Sequence, residues 1–538
     1  MTEIENSNWD YIVVGAGSAG CVVANRLSED PSNRVLLLEA GGTDKSLYIQ
    51  MPAATYVKAI GNPKYDWCYE TEPDPTLGNR SATLARGRVM GGSSSINGMI
   101  YIRGFPQDYD RWEAQGNPGW GWKDVLPYFK RHENNNRGAS AYHGASGTLS
   151  VQDLLEPHPL ADLFLSAAKA NDIPINEDLN GEQINGLGLT QATQRNGWRC
   201  SSAKAFVDTA RHRKNLTVLT HATGRRLLFD GTKVTGLEIL HRGKIRRLIV
   251  KKEVVLSAGA IASPQLLMLS GVGDPEKLAE LGIKVVAANP GVGQNLQDHA
   301  GINLSYVVNV PTFNNEMALW KQIIHGANWL LRGRGAGTTP DAHVVGFFRS
   351  QPTVDVPDVQ LHFTPAGYAL AGEGGELVLK DSSFTVVLSV CRPKSSGFIT
   401  LRSADPSAPP MIHHRLLGDD GDVEILARAV DITRNISATK PLDKVVLHPV
   451  DSELNKLDFE GLKRYVRAHA RDVAHPSGTC RMGSDAASVL TPDLRVRGVT
   501  GVRVADASIM PSVTSGNLNA PCMMIGEKAA DLILNRGS

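Results

Sequence analysis

Residues 11–20 constrain the fold more than any other stretch of this chain. Tyr11-Ile12-Val13-Val14 is a short apolar run that ends on Gly15-Ala16-Gly17-Ser18-Ala19-Gly20. Ser18 to Ser28 then carries the apolar and small residues of a helix packed on a sheet, and Arg34 to Glu39 forms a second apolar run. This strand–turn–helix–strand order opens a parallel α/β domain. A G-x-G-x-x-G pattern at that junction suits dinucleotide phosphate. Gly15 makes the tight turn, Gly17 lets main chain approach a pyrophosphate, and Gly20 lets helix and strand pack closely. The helix start at Ser18 and Ala19 offers N–H groups and the positive end of the dipole. Glu39 lies 24 positions after Gly15, at the end of the second strand, where an acid accepts bonds from ribose hydroxyls. The glycine pattern alone also suits a structural turn; the two strands and the terminal acid turn it into a nucleotide site. It does not distinguish FAD from NAD.

The rest of the 538 residues fits two or three domains. Glu253 to Ser257 and Val502 to Val504 read as further buried strands of the same sheet, so distant segments complete it. Residues 106–204 hold Trp112, Trp120 and Trp122 among many Asn, Gly and Pro, a pattern of long loops and short helices. Within 308–469, Val359 to Phe363 and Phe384 to Val390 suit antiparallel strands, and Asp422 to Ile436 an amphipathic helix. The expected architecture is α/β. A Rossmann-like nucleotide-binding domain is assembled from 8–105, 205–307 and 470–538. An α+β substrate domain on an antiparallel sheet comes from 106–204 and 308–469.

Composition excludes several function classes. A net charge of +1 provides no field for nucleic acid. Six cysteines without a Cys-x-x-Cys pair make no disulfide framework and suit a reducing, cytoplasmic setting. Residues 1–10 lack the order of a signal peptide, and no apolar run reaches the roughly 18–20 residues that span a bilayer. Peripheral membrane contact stays open. The adjacent His413 and His414 point to opposite faces of a strand, and no His/Cys/Asp cluster has zinc spacing, so no metal site is expected. Ser201, Ser202 and Ser508 lack a nucleophile elbow.

Four ordered blocks resemble the glucose–methanol–choline oxidoreductases, most closely their choline-dehydrogenase-like and alcohol-dehydrogenase-like members. The first is Asp10 to Gly42. The second is Arg86-Gly87-Arg88-Val89-Met90-Gly91-Gly92-Ser93-Ser94-Ser95-Ile96-Asn97-Gly98. The third runs from Gly259 to Gly273 and on to Asn295-Leu296-Gln297-Asp298-His299. The fourth joins His475-Pro476-Ser477-Gly478-Thr479-Cys480-Arg481-Met482-Gly483 to Ala505-Asp506-Ala507-Ser508 and Asn517-Leu518-Asn519-Ala520-Pro521. The resemblance implies bound FAD and oxidation of an alcohol by hydride transfer to flavin N5. It places Arg86, Met90, Gly91, Ser95, Asn97, Gly98, Ala258, Asp506, Ala507 and Ala520 at the cofactor. Some members attach FAD through a histidine in the second block; the matching position here is Ile96, which implies non-covalent FAD. Consecutive Gly and Ser in that block also expose backbone N–H groups in their own right. Pro521 suits the first turn of a C-terminal helix whose positive end would favour a reduced flavin.

Alcohol oxidation breaks an O–H and a C–H bond, so a base must stand beside a hydride acceptor. Histidine is suited to that role because its ordinary pKa lies near working pH. Of 15 histidines, His475 opens the block that matches the family's active-site histidine. The family's partner, a His or Asn at the start of the C-terminal helix, falls on Asn519, 44 positions downstream. His475 is expected to accept the hydroxyl proton, and Asn519 to hold the substrate oxygen. Asn517 is the weaker candidate, and His299 is expected to brace the cofactor domain. The resemblance favours a primary alcohol going to its aldehyde, with a quinone, a carrier protein or oxygen taking the electrons. A cyanohydrin lyase on the same fold and a non-catalytic FAD-binding protein are the alternatives from other classes.

Overall fold

The computed structural model describes residues 8–371 and 375–535, so the leader reading of residues 1–7 lies outside it. Two seven-stranded sheets organise the described residues. In the first, Asn8–Val14 runs parallel between Val35–Leu38 and the C-terminal half of Lys244–Leu256. Leu216–Leu219 adds a parallel strand beyond Val35–Leu38, and Val502–Val504 pairs in parallel with residues 254–256. Ile12, Val13, Leu36, Leu37, Val254 and Val255 are fully buried, because helices and neighbouring loops cover both faces of such a sheet. Register pairs Val14 with Leu38 and with Leu256, and Leu256 with Val504. Four strands therefore end on one line, and Gly15, Glu39, Ser257 and Ala505 follow it. Ligands bind outside such carboxyl ends.

Helix Ser18–Leu27 packs on the C-terminal helix Asn519–Leu534. The contact is close enough that a Cβ on Gly526 would stand 2.7 Å from the Ala19 carbonyl oxygen. Arg26 grips the buried Glu527 carboxylate with two bonds of 2.7 Å, and Arg131 reaches it at 2.6 Å. Losing one partner of such a buried pair costs about 3–5 kcal/mol, because the other charge is left stranded.

The second sheet is antiparallel, in the order Val446–Pro449, Ala300–Val308, Ser383–Val390, Val359–Thr364, Val344–Phe348, Gly186–Leu189, with Arg471–Asp472 beside the start of Ala300–Val308. Alternation divides its faces. Val359, Leu361 and Phe363 bury against helices Pro159–Lys169, Asp420–Ser437 and Phe459–His469, while Gln360 and His362 turn the other way, towards Asn517.

Several sequence expectations differ in detail. The helix expected near Ser263 starts earlier, at Gly259, and carries Pro264 inside it. Pro264 has no N–H to give the Ala260 carbonyl; the Thr479 hydroxyl donates there instead (2.6 Å). Trp112 and Trp120 are buried in the core of the nucleotide sheet, and their indole N–H groups donate to Ser512 O and Pro492 O. Helix Leu319–Arg332 was not anticipated in a stretch read as alternating strands.

Candidate active site

A cavity of about 860 Å³ opens between the two sheets. Ser18, Ser93 and Ala507 border it from the nucleotide side, His362 and Val387 from the antiparallel sheet, and His475 from the segment after Arg471–Asp472.

On the nucleotide side the glycines are sterically required. A Cβ on Gly20 would lie 1.9 Å from the Gly15 carbonyl oxygen, and one on Gly15 2.4 Å from that of Ser257, where φ is +103°. At Gly17 the nearest atom would be 4.0 Å away, so its outer face is open. Gly17 caps helix Ser18–Leu27 without a side-chain bond, which leaves the helix start for a ligand. The Glu39 carboxylate accepts from Ala16 N–H (3.2 Å) and Gly41 N–H (2.8 Å), and burial raises its pKa to about 7. A carboxylate has about four acceptor positions, more than these backbone groups use, so capacity stays available for hydroxyl donors.

Histidine tautomers in the deeper half follow from a chain of hydrogen bonds. The Thr514 carbonyl can only accept, so His299 Nε2, 3.1 Å away, carries a proton. His299 Nδ1 is then an acceptor, and His475 Nδ1, at 3.0 Å, must donate to it. His475 Nε2 is left with its lone pair. Asn517 Nδ2 stands 3.3 Å from that atom. The Asn517 amide is itself oriented, because its Oδ1 accepts from Gln360 Nε2 (3.0 Å). Asp298 Oδ1 accepts from the His475 backbone N–H (2.8 Å), and Arg86 Nη2 donates to the Ala474 carbonyl (2.5 Å), so both residues fix the turn that carries the ring. Burial, with His299, His362 and Arg86 nearby, holds the His475 pKa well below 6.5; burial takes His299 and His362 to about 4. All three rings are neutral at pH 7.

His475, Asn517 and Asn519 all line the cavity, and Asn517 is the one that hydrogen-bonds His475. Asn519 opens helix Asn519–Leu534 and points its Oδ1 at Ser18 Oγ, which donates to it at 2.8 Å. His299, expected as a brace, touches His475 directly. His362 and Gln360 escaped the sequence reading, although their alternation with Leu361 and Phe363 marks a face turned away from the core.

Other expected cofactor residues fall into two groups. Ser18, Arg86, Asn97, Gly98 and Ala507 border the cavity, as does Ile96, whose side chain offers no nucleophile. Asn97 is held by Arg199 Nη1 (2.8 Å). The others lie behind this surface. Ser95 Oγ donates to the Met90 carbonyl (2.6 Å), and Gly91 N–H donates to Ala16 O (2.7 Å). Ala258 N–H donates to Ser263 Oγ (3.1 Å), and Ala520 is buried in the helix. At Asp506 either the side chain or the adjacent N–H groups are expected near the cofactor. One oxygen accepts from Gly259 N–H and Ser263 Oγ, the other from Ser508 N–H and Oγ, so the carboxylate ties helix Gly259–Leu269 to its own turn, and Ala507 lines the cavity.

Residues 9–301 match the N-terminal sequence profile of the GMC oxidoreductases and residues 393–526 the C-terminal one. The chain belongs to the GMC oxidoreductase family. It is 43% identical to the mitochondrial choline dehydrogenase of Homo sapiens over 98% of this chain and 89% of that one. It is 41% identical to the oxygen-dependent choline dehydrogenase of Sinorhizobium medicae over 98% and 96%. Among solved structures, pyridoxine 4-oxidase from Mesorbium loti superimposes with a TM-score of 0.88 at 29% identity, covering 97% of this chain and 98% of that one. As a GMC oxidoreductase the chain is an FAD-dependent enzyme acting on alcohols. These relatives are dehydrogenases and oxidases, which favours oxidation over the lyase alternative. The residues present fit non-covalent FAD: an open glycine turn, an uncapped helix start, free acceptor positions on Glu39, and Ile96 in place of an attaching histidine.

Proposed function

We propose that this enzyme dehydrogenates a primary alcohol to its aldehyde, with His475 Nε2 as the base and Asn517 as the group that holds the substrate oxygen. The observation that carries this reading is the bond chain Thr514–His299–His475, which leaves the Nε2 lone pair beside an oriented amide N–H. A hydroxyl against both atoms donates its proton to Nε2 and accepts from Nδ2. As the O–H bond weakens, negative charge grows on an oxygen that the amide already solvates, and orientation of this kind contributes strongly to rate. Bound FAD supplies the two-electron acceptor for the hydride. Arg86 and Asp298 position the base by fixing its backbone; Asn519 and Ser18 belong to the cofactor side, together with Gly15, Gly17 and Glu39. We assign the cofactor and substrate parts of the chain to the segments divided near 105, 204, 307 and 469.

The electrons pass on to a quinone or a carrier protein, with oxygen as the competing acceptor. The six free thiols support a reducing, cytoplasmic setting. Since relatives are named for choline, that alcohol is the first substrate to try. Asp341 opens onto the cavity and presents a carboxylate there, so a cationic substrate would find a partner of opposite charge. Anaerobic stopped-flow absorbance with choline, its neutral isostere 3,3-dimethylbutan-1-ol and a panel of simple primary alcohols tests the reading. Loss of the oxidised flavin band supports it, and preference for choline over the isostere supports Asp341 as the cation's partner. Slow recovery on admitting air supports a dehydrogenase and fast recovery an oxidase. Bound flavin that no primary alcohol bleaches would count against it.

A further inference from the structure

Among the described residues, the most exposed large apolar side chains lie on helix Leu319–Arg332. Leu331 is 81% exposed, Leu319 73%, Ile323 64% and Trp320 61%; Ile324 and Leu330 are also more than half exposed. At about 100° per residue these six side chains fall within roughly 140° of arc, so they form one continuous stripe. The opposite side is tightly held. Trp329 is buried, its ring centroid 4.0 Å from that of Trp198, and its Nε1 donates to the Gly197 carbonyl (2.8 Å). A helix anchored in this way presents its apolar face by design of the packing rather than by fraying.

The stripe extends onto neighbouring chain. Helix Pro52–Lys58 packs against the Ala336–Thr338 turn, and Met51 Cε comes within 3.8 Å of a Cβ built on Gly326. Leu47, Tyr48 and Val57 are exposed on this side segment. Tyr56 and Val57 also line the active-site cavity, so the apolar surface continues to its mouth. Basic residues flank the stripe along the chain: Lys321, Arg332 and Arg334 on or beside the helix, and Lys45 and Lys58 beside the neighbouring short helices. Glu316 already accepts from Lys321 (3.0 Å) and His325 (2.9 Å).

We propose that this face docks the enzyme on an anionic lipid bilayer, with helix Leu319–Arg332 lying in the plane of the headgroups and the cavity mouth turned towards the membrane. The helix has 14 residues, too few to span a hydrocarbon core that takes about 20. An apolar stripe flanked by Lys and Arg is the pattern of helices that lie at the interface, and anionic headgroups add attraction for each cation near them. Docked this way, an acceptor or an alcohol dissolved in the lipid reaches the cavity without crossing water.

The test uses the FAD-loaded enzyme and sedimentation with vesicles of phosphatidylcholine alone or mixed with phosphatidylglycerol. The wild type is expected to bind the mixed vesicles, more weakly as salt rises. Trp320→Glu/Ile323→Glu/Leu331→Glu should bind about 100-fold more weakly, from lost apolar burial and headgroup repulsion together. Arg332→Glu/Arg334→Glu should lose only the preference for phosphatidylglycerol. Both variants should keep wild-type turnover of a water-soluble alcohol with a soluble dye, which reports that fold and site are intact. A wild type that binds neither vesicle, or a triple variant that binds like wild type, would overturn the proposal. So would wild-type dimers that the triple variant dissociates in the absence of vesicle binding, which would assign the face to a second copy of the chain.

Discussion

Alanine at Asn517 and at Asn519, one at a time, separates two amides that sit two residues apart and do different things. In Asn517→Ala, His475 Nε2 loses the donor at 3.3 Å and Gln360 loses its acceptor at 3.0 Å. A preorganised donor aimed at a developing oxyanion contributes about 10²–10³ in kcat, roughly 2.7–4 kcal/mol. For one neutral amide donor the lower end, about 100-fold, is the expected loss. In Asn519→Ala the loss is a neutral 2.8 Å bond to Ser18, worth about 1 kcal/mol or roughly fivefold. That loss should appear in flavin retention rather than in chemistry. The assay is anaerobic loss of oxidised flavin absorbance at saturating alcohol, expressed per bound flavin. If Asn519→Ala shows the large loss at full flavin occupancy while Asn517→Ala stays near wild type, the reasoning from the histidine chain is wrong.

Other outcomes follow from the same geometry. His299→Leu should lower kcat by about 10–100-fold with the flavin spectrum unchanged, since His475 loses the partner that sets its tautomer. In the wild type the acid limb of kcat/KM should fall below pH 6.5, because burial holds the His475 pKa down; a limb at or above 6.5 would refute that reading. Gly20→Ala sets a Cβ 1.9 Å from the Gly15 carbonyl oxygen, so the protein should purify without flavin, as read from the ratio of protein to flavin absorbance. Acid should destabilise the fold through its buried histidines. His299 and His362 titrate at about 4, and His132 and His343 at about 3, against 6.5 in the unfolded chain. Below pH 6.5 the unfolded chain binds more protons, so stability falls with pH down to each folded value, by about 1.4 kcal/mol per unit and group. Glu39, at about 7 in the fold against 4.5 unfolded, works the other way over this range and offsets about one histidine, so a net loss remains and equal denaturant midpoints at pH 7 and pH 5 would contradict it.

How much could be read in advance depended on how local each cause is. The turn at Gly15–Gly20 needs only its own strand and helix, so it was legible, as was the alternation of Val359 to Phe363. His475 was legible through a resemblance rather than through its surroundings, since its partners His299 and Asn517 are 176 and 42 residues away. The resemblance ranks Asn519 above Asn517, but which amide hydrogen-bonds His475 depends on the residue at which the helix starts, and spacing does not give that. At Asp506 the sequence leaves side chain and adjacent N–H groups open, and only the fold shows Gly259, Ser263 and Ser508 donating to both carboxylate oxygens. The apolar stripe of Leu319–Arg332 has helical spacing, but spacing does not say whether a stripe faces a core or the solvent.

The strand Val502–Val504 pairs with residues 254–256, which in turn pair with 12–14. One sheet therefore holds together the two ends and the middle of the chain, and loop closure on that scale is slow. During synthesis the Gly15 turn emerges early but stays half-built until the last forty residues leave the ribosome. Cofactor capture is thus a late event, and a chain cut short before Val502 should accumulate as flavin-free protein with an unpaired strand edge exposed to aggregation.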